Sequence, residues 1–166
     1  MWFSRANTSR WRRGEGLFGA TPGEKAIANA SKALRSLGLK YEENDGGIML
    51  SAMGDDLPIG MAILPDNDNR TLNIYCYLMF DIPPDARKAL VLELNSLNSE
   101  INNGSFYMDE EGKIFFKIVQ SFYDKVPSAT TVAHLVQVAF KTVDINDGKL
   151  KGLIPRDAMR KDLMYS

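Results

Sequence analysis

The chain has one cysteine and one histidine in 166 residues. A lone Cys76 excludes an internal disulfide, which fits a reducing compartment, and the cytoplasm is the expected location. His134 has no cysteine, histidine or carboxylate partner at ligand spacing, so no metal centre is expected. No nucleophile stands beside a base and no pair of carboxylates marks a cleft. We therefore expect no enzyme, no catalytic residue and no cofactor. No apolar run reaches the roughly 18 residues that a membrane span needs. The N-terminal arginines are followed by no apolar h-region, so no secretory signal is expected.

Two short motifs fail for want of context. Gly14-Glu15-Gly16-Leu17-Phe18-Gly19 spells G-x-G-x-x-G. A dinucleotide loop of that form must follow a buried strand and open a helix. Here Ser9-Arg10-Trp11-Arg12-Arg13 precedes it, which is no such strand. Asp66-Asn67-Asp68-Asn69 begins like a calcium loop, but the sixth and twelfth positions are Thr71 and Tyr77 instead of glycine and an acid. A hairpin turn is expected there.

What is present is an ordinary globular balance with an uneven charge map. Net charge is −1, yet residues 1–22 carry four arginines against Glu15. Residues 42–69 carry seven acidic side chains and no basic one. Residues 149–166 carry five basic and two acidic side chains. This divides the chain into a basic arm over 1–22, a domain over 23–147 and a basic tail over 148–166, with room for a short docked helix in the tail. The arm, with Trp2, Phe3, Trp11 and Phe18, either docks on its own domain or meets nucleic acid or an anionic membrane.

Within the domain, helical spacing of Ile27, Ala30, Ala33 and Leu37 predicts a helix over Glu24–Leu37, closed by Gly38. Three strands follow, over Gly47–Met53, Leu57–Leu64 and Thr71–Phe80. In the third, Leu72, Ile74, Cys76, Leu78 and Phe80 should face the core, with Tyr75, Tyr77 and Met79 on the other side. A central helix is expected over Pro84–Asn102, with Asp81 as a cap and Asp85 complementing the dipole. Its stripe is Ala86, Leu90, Leu94, Leu97 and Ile101, widened by Ala89, Val91 and Leu92. That width is more than one sheet face needs, and it points to a homodimer in which this helix and a second copy shield the sheet. Asn95 and Asn98 are poor interior helix residues. They are expected either to fix a turn or strand edge, or to face solvent. A hairpin over Ser105–Met108 and Lys113–Ser121 turns at Gly112. The last helix is expected over Ser128–Val143.

The order is then α-β-β-β-α-β-β-α with a five-stranded antiparallel sheet, an α+β fold. Three stretches carry a resemblance: Phe80-Asp81-Ile82-Pro83-Pro84, Leu94-Asn95-Ser96-Leu97-Asn98, and Gly104 through Ile114. Together they resemble the YbjN-like family of bacterial sensory transduction regulators, similar in fold to type III secretion chaperones. The resemblance spans about residues 23–147. It implies a non-enzymatic protein-binding module, chaperone-like or regulatory, with an unknown protein or peptide client. It supplies no catalytic residues. The alternatives are a dedicated effector chaperone of type III secretion, which the basic arm and tail argue against, and a small-molecule-sensing or signalling domain. The expected binding face is Tyr75, Tyr77 and Met79 with Ile59, Met61 and Ile63 from the preceding strand, engaged by face or edge contacts.

Overall fold

The computed structural model describes residues 19–44 and 46–154, and for Asp81 the backbone alone. The G-x-G-x-x-G run apart from Gly19, the aromatic residues of the arm and the tail beyond Ile154 lie outside these residues. The elements are α1 (Pro22–Ser36), β1 (Glu42–Asn44), β2 (Gly47–Met53), β3 (Pro58–Asp66) and β4 (Thr71–Asp81). They continue with α2 (Arg87–Glu100), β5 (Ser105–Met108), β6 (Lys113–Ser121) and α3 (Ala129–Gly152). The sheet is antiparallel throughout, in the order β1-β2-β3-β4-β6-β5.

The sheet has six strands instead of the expected five. The extra one, β1, is Glu-Glu-Asn, fully exposed and without apolar alternation. Tertiary context makes it a strand. Gly46, at φ 81°, takes the left-handed position between β1 and β2. From β1 the Glu43 carboxylate accepts a hydrogen bond from the Ser31 hydroxyl of α1.

Helix α1 starts with a capping box. The Thr21 side chain accepts from the Glu24 N–H, and the Glu24 carboxylate accepts from the Thr21 N–H at 2.7 Å. Ala26, Ile27, Ala30, Ala33 and Leu34 form its buried stripe. Gly38, at φ 69°, ends it. Helix α3 runs on to Gly152, past the expected end at Val143. The run Asp144-Ile145-Asn146-Asp147-Gly148 reads as helix-breaking. Yet Val143, Asp147 and Leu150 continue one buried stripe at helical spacing. Lys149 also pairs with Glu93 of α2 at 2.5 Å. Residues 148–152 of the expected tail therefore belong to α3.

Helix α2 begins at Arg87 and not at Pro84. Asp81 is taken up as the last residue of β4, so the N-cap position falls to Ala86, which has no side-chain bond. Arg87 organises this corner instead. Its guanidinium donates to the carbonyls of Ile82, Glu110 and Glu111 at 3.2, 2.8 and 2.7 Å. This ties α2 to the β5–β6 turn, where Gly112 sits at φ 88°.

One face of the sheet is covered. Helices α1 and α3 pack across β3 and β4, and α3 also reaches β6. Ile48, Ile59, Met61, Ile63, Ile74, Phe116 and Ile118 are buried beneath this layer. Helix α2 reaches the sheet at β5, through Leu90, Leu94 and Leu97. The expectation that the central helix shields the sheet is thus corrected. Its buried stripe is narrow, and Ala89, Val91 and Leu92 are exposed.

Candidate functional site

The second face of the sheet carries no helix among the described residues. Its membership follows from register. The turn between Asp66 and Thr71 holds four residues, and these two are paired across it. An even turn pairs odd positions of β3 with even positions of β4, and paired residues point the same way. Ile59 therefore sits opposite Leu78, Met61 opposite Cys76, and Ile63 opposite Ile74. All three β3 residues are at most 1% exposed, in the helix-covered core. They do not share a face with Tyr75, Tyr77 and Met79, and that part of the expected binding face is corrected. The true β3 neighbours of Tyr75 and Tyr77 are Ala62 and Gly60.

On the far side of β4 the same face continues into the hairpin. Tyr75 pairs with Lys117, Tyr77 with Phe115, and Phe115 in turn with Tyr107 of β5. Sequence reasoning left Phe115, Tyr107 and Lys117 out of the face. The alternation along Lys113–Ser121 was the signal for them, because Ile114, Phe116 and Ile118 are the buried set.

The rings share this face. Tyr107 and Phe115 stack at 5.2 Å between centroids, 13° from parallel. Lys117 Nζ lies 5.0 Å from the Tyr75 ring centroid, a cation–π distance. Burial, with the nearby Tyr75 and Asp109, pushes the Tyr107 phenol up to about 12, so it stays a neutral hydrogen-bonding group. Met79 and Val119 flank the rings and are 56% and 50% exposed. This is an apolar, aromatic platform with the Lys117 ammonium on it.

The two edges of the sheet differ. On β5 the Asn98 side chain of α2 donates to the Phe106 carbonyl at 2.8 Å and accepts its N–H at 2.7 Å. The amide takes the place of a further strand and closes that edge. Asn95 is exposed instead. At the other edge β1 pairs with β2 only as far as Met49. Leu50–Met53 then runs on with no strand beside it on that side among the described residues.

The chemistry-bearing residues are dispersed. Burial pushes the Cys76 thiol up to about 12, so it is no nucleophile at neutral pH. His134 is exposed on α3. Among the described residues no three His, Cys, Asp or Glu side chains are arranged to hold a metal ion. No described helix is long and apolar enough to cross a membrane.

Comparison with known proteins gives a family and a fold. A family model described as "Putative bacterial sensory transduction regulator", YbjN, matches residues 31–147. No curated protein matches the sequence. The crystal structure of YbjN from E. coli, described as "a putative transcription regulator", is similar with a TM-score of 0.56 at 15% identity. That match covers 72% of this chain and 86% of the other. A chain of the ExsC–ExsE complex is similar with a TM-score of 0.54 at 16% identity, covering 82% of this chain and 98% of that one. A chain of the ExoU–SpcU complex from the type III secretion system of Pseudomonas aeruginosa matches at a TM-score of 0.48 and 15% identity, covering 74% and 95%. At these identities the likeness is one of fold.

Proposed function

Because the chain belongs to the YbjN family, we propose that it is a non-enzymatic protein-binding module, chaperone-like or regulatory in role. It holds an extended segment of a client protein against the aromatic face of its sheet. One observation carries this reading: a sheet clad by α1 and α3 on one side presents Tyr75, Tyr77, Tyr107 and Phe115 on the other, flanked by Met79 and Val119. Apolar rings in such an array offer contact area at low entropic cost. An extended client can also add a strand along Leu50–Met53, since the β5 edge is closed by Asn98. The free, buried thiol of Cys76 suits a reducing compartment, and we place the protein in the cytoplasm.

The exposed Val91 and Leu92 of α2 lie apart from that face, 49% and 67% exposed. We assign them to a second copy of the chain, so that a homodimer leaves the aromatic faces free. Light scattering on Leu92→Glu tests this part: the mass should halve.

The client reading is tested by photo-crosslinking in the native cell. Crosslinkers at Met79 or Val119 should give discrete client adducts, and one at His134, on α3, should not. Tyr75→Ser with Tyr77→Ser should abolish the adducts. Equal crosslinking from His134, or adducts that survive both substitutions, would overturn the placement.

A further inference from the structure

We propose that the cavity where α1, the β3–β4 turn and the β6–α3 loop meet binds an organic anion, a carboxylate or phosphate carried on an apolar stem. The site is separate from the aromatic sheet face and does not depend on that reading. Its volume is about 300 Å³, at the lower end of the range of ligand pockets.

The lining has two parts. Pro22, Phe122 and Val126 make an apolar wall. Tyr123 stands at the cavity, 84% exposed. Around this wall are Lys25 from the first turn of α1, Arg70 from the β3–β4 turn and Lys125 from the loop, against the single acid Asp124. Three cations to one anion is a departure for a chain whose net charge is −1. Among the described residues the ion pairs are Lys113–Glu111 and Lys149–Glu93, so the three cations are uncompensated by any of them. Three cations around one apolar wall set a local positive potential that favours an anion.

Arg70 supplies an independent observation. It is the one described residue other than glycine with positive φ, at 50°. That conformation costs an arginine about 1–2 kcal/mol, whereas glycine or asparagine adopts it readily. The backbone there is fixed by its neighbours: the Arg70 carbonyl accepts the Phe122 N–H at 2.9 Å. The side chain donates Nη1 to the Tyr123 carbonyl at 3.0 Å. One bond of a five-donor fork is used in that contact, so the guanidinium is pinned at the cavity with donors to spare. A turn that needed only its backbone shape would be served better by glycine.

Charge also decides against the chain's own N-terminus as the occupant. Residues 1–18 carry four arginines and one glutamate, and a basic arm is repelled from a basic cavity.

The test is an amide NMR titration of the full chain with four probes: N-acetylphenylalanine, phenyl phosphate, the neutral N-acetylphenylalaninamide and inorganic phosphate. The two aromatic anions should shift the amides of Arg70, Tyr123 and Lys125, and whichever binds tighter names the source of the anion. The neutral amide and inorganic phosphate should bind at least about tenfold more weakly, a loss of about 1.4 kcal/mol. Lys25→Gln with Lys125→Gln should weaken both aromatic anions by a similar factor without changing the thermal midpoint. Arg70→Gly keeps the left-handed turn, removes the fork and should weaken both aromatic anions by a similar factor. Three results would each overturn the proposal: neutral amide binding as well as the acids, inorganic phosphate binding as well as the aromatic anions (an adventitious ion only), or unchanged affinity in the lysine double variant.

Discussion

The ring of Tyr77 fills the space that a side chain on Gly60 would need. A Cβ at Gly60 would lie 1.9 Å from Tyr77 Cζ and within 2.4 Å of two further ring carbons. The two residues are directly paired between β4 and β3. Glycine inside a strand is normally a weakness. Here an aromatic ring laid across the strand covers the glycine backbone and buries it. This is why Tyr77 is half-buried on a face with no helix over it among the described residues.

Gly60→Ala is therefore expected to lower stability. Two effects oppose each other. The added Cβ rigidifies the unfolded chain, which favours folding by about 0.4–1 kcal/mol. It also displaces the ring, and overpacking of that kind costs about 1–3 kcal/mol. The second should win, giving a lower midpoint in denaturant and a more exposed tyrosine by fluorescence quenching. The decisive measurement is the double-mutant cycle. In a Tyr77→Ala background the same Gly60→Ala change should become neutral or stabilising, because nothing is left to displace.

Asn98 and Asn95 are expected to behave differently. Asn98→Ala strips two hydrogen bonds from Phe106, a residue only 3% exposed. Each unsatisfied buried backbone group costs about 1–3 kcal/mol. The β5 edge would be opened as well, so the variant should aggregate more readily and exchange the Phe106 amide faster. Asn98→Asp keeps an acceptor for the N–H but sets a carboxylate against the Phe106 carbonyl. Its stability should be poor at neutral pH and recover in acid, as the protonated group regains a donor. Asn95→Ala should be within about 0.5 kcal/mol of neutral, since alanine is the better helix former and Asn95 is exposed.

That contrast shows what could be read in advance. Periodicity identifies α1, β2, β4 and the buried stripe of α2, because a 3.6 or a 2.0 repeat of apolar residues is a property of the residues themselves. It cannot say which of two asparagines three positions apart meets the hairpin, because that depends on the angle at which α2 crosses β5. It also missed β1, whose Glu-Glu-Asn becomes a strand only because β2 is beside it. The misplacement of Ile59, Met61 and Ile63 has a single cause. The parity of the β3–β4 turn reverses which side chains share a face, and one residue more or fewer in that turn would have put them beside Tyr75. The family motif likewise reads as scaffolding. Gly104, at φ 98°, has no room for a Cβ beside Phe116, and Gly112 has none between the Ile82 carbonyl and Arg87.

Asp147 is a buried carboxylate whose oxygens make no hydrogen bond of good geometry, between Val143 and Leu150 in the apolar stripe of α3. Its pKa is raised, first by desolvation and then by the negative charges of Asp144 on its own helix and of Asp55 and Asp56 in the β2–β3 turn. The adjacent Gly148 N–H, short of good hydrogen-bonding geometry, opposes this in part. Asp144 is itself engaged, accepting the Asp55 N–H at 2.7 Å. For an acid with a raised folded-state pKa, the native protein holds its proton longer than the unfolded chain does. Between the ordinary value of about 3.9 and the raised one, the unfolded state binds fewer protons, so stability falls as pH rises across that window. Above it the penalty is constant. Asp147→Asn removes the titration while keeping the shape, and should raise the thermal midpoint at pH 7. The advantage over the parent should shrink as pH is lowered and vanish below about pH 4. A variant less stable than the parent at pH 7 would mean that the carboxylate is ionised against a cation and stabilises the fold in that form.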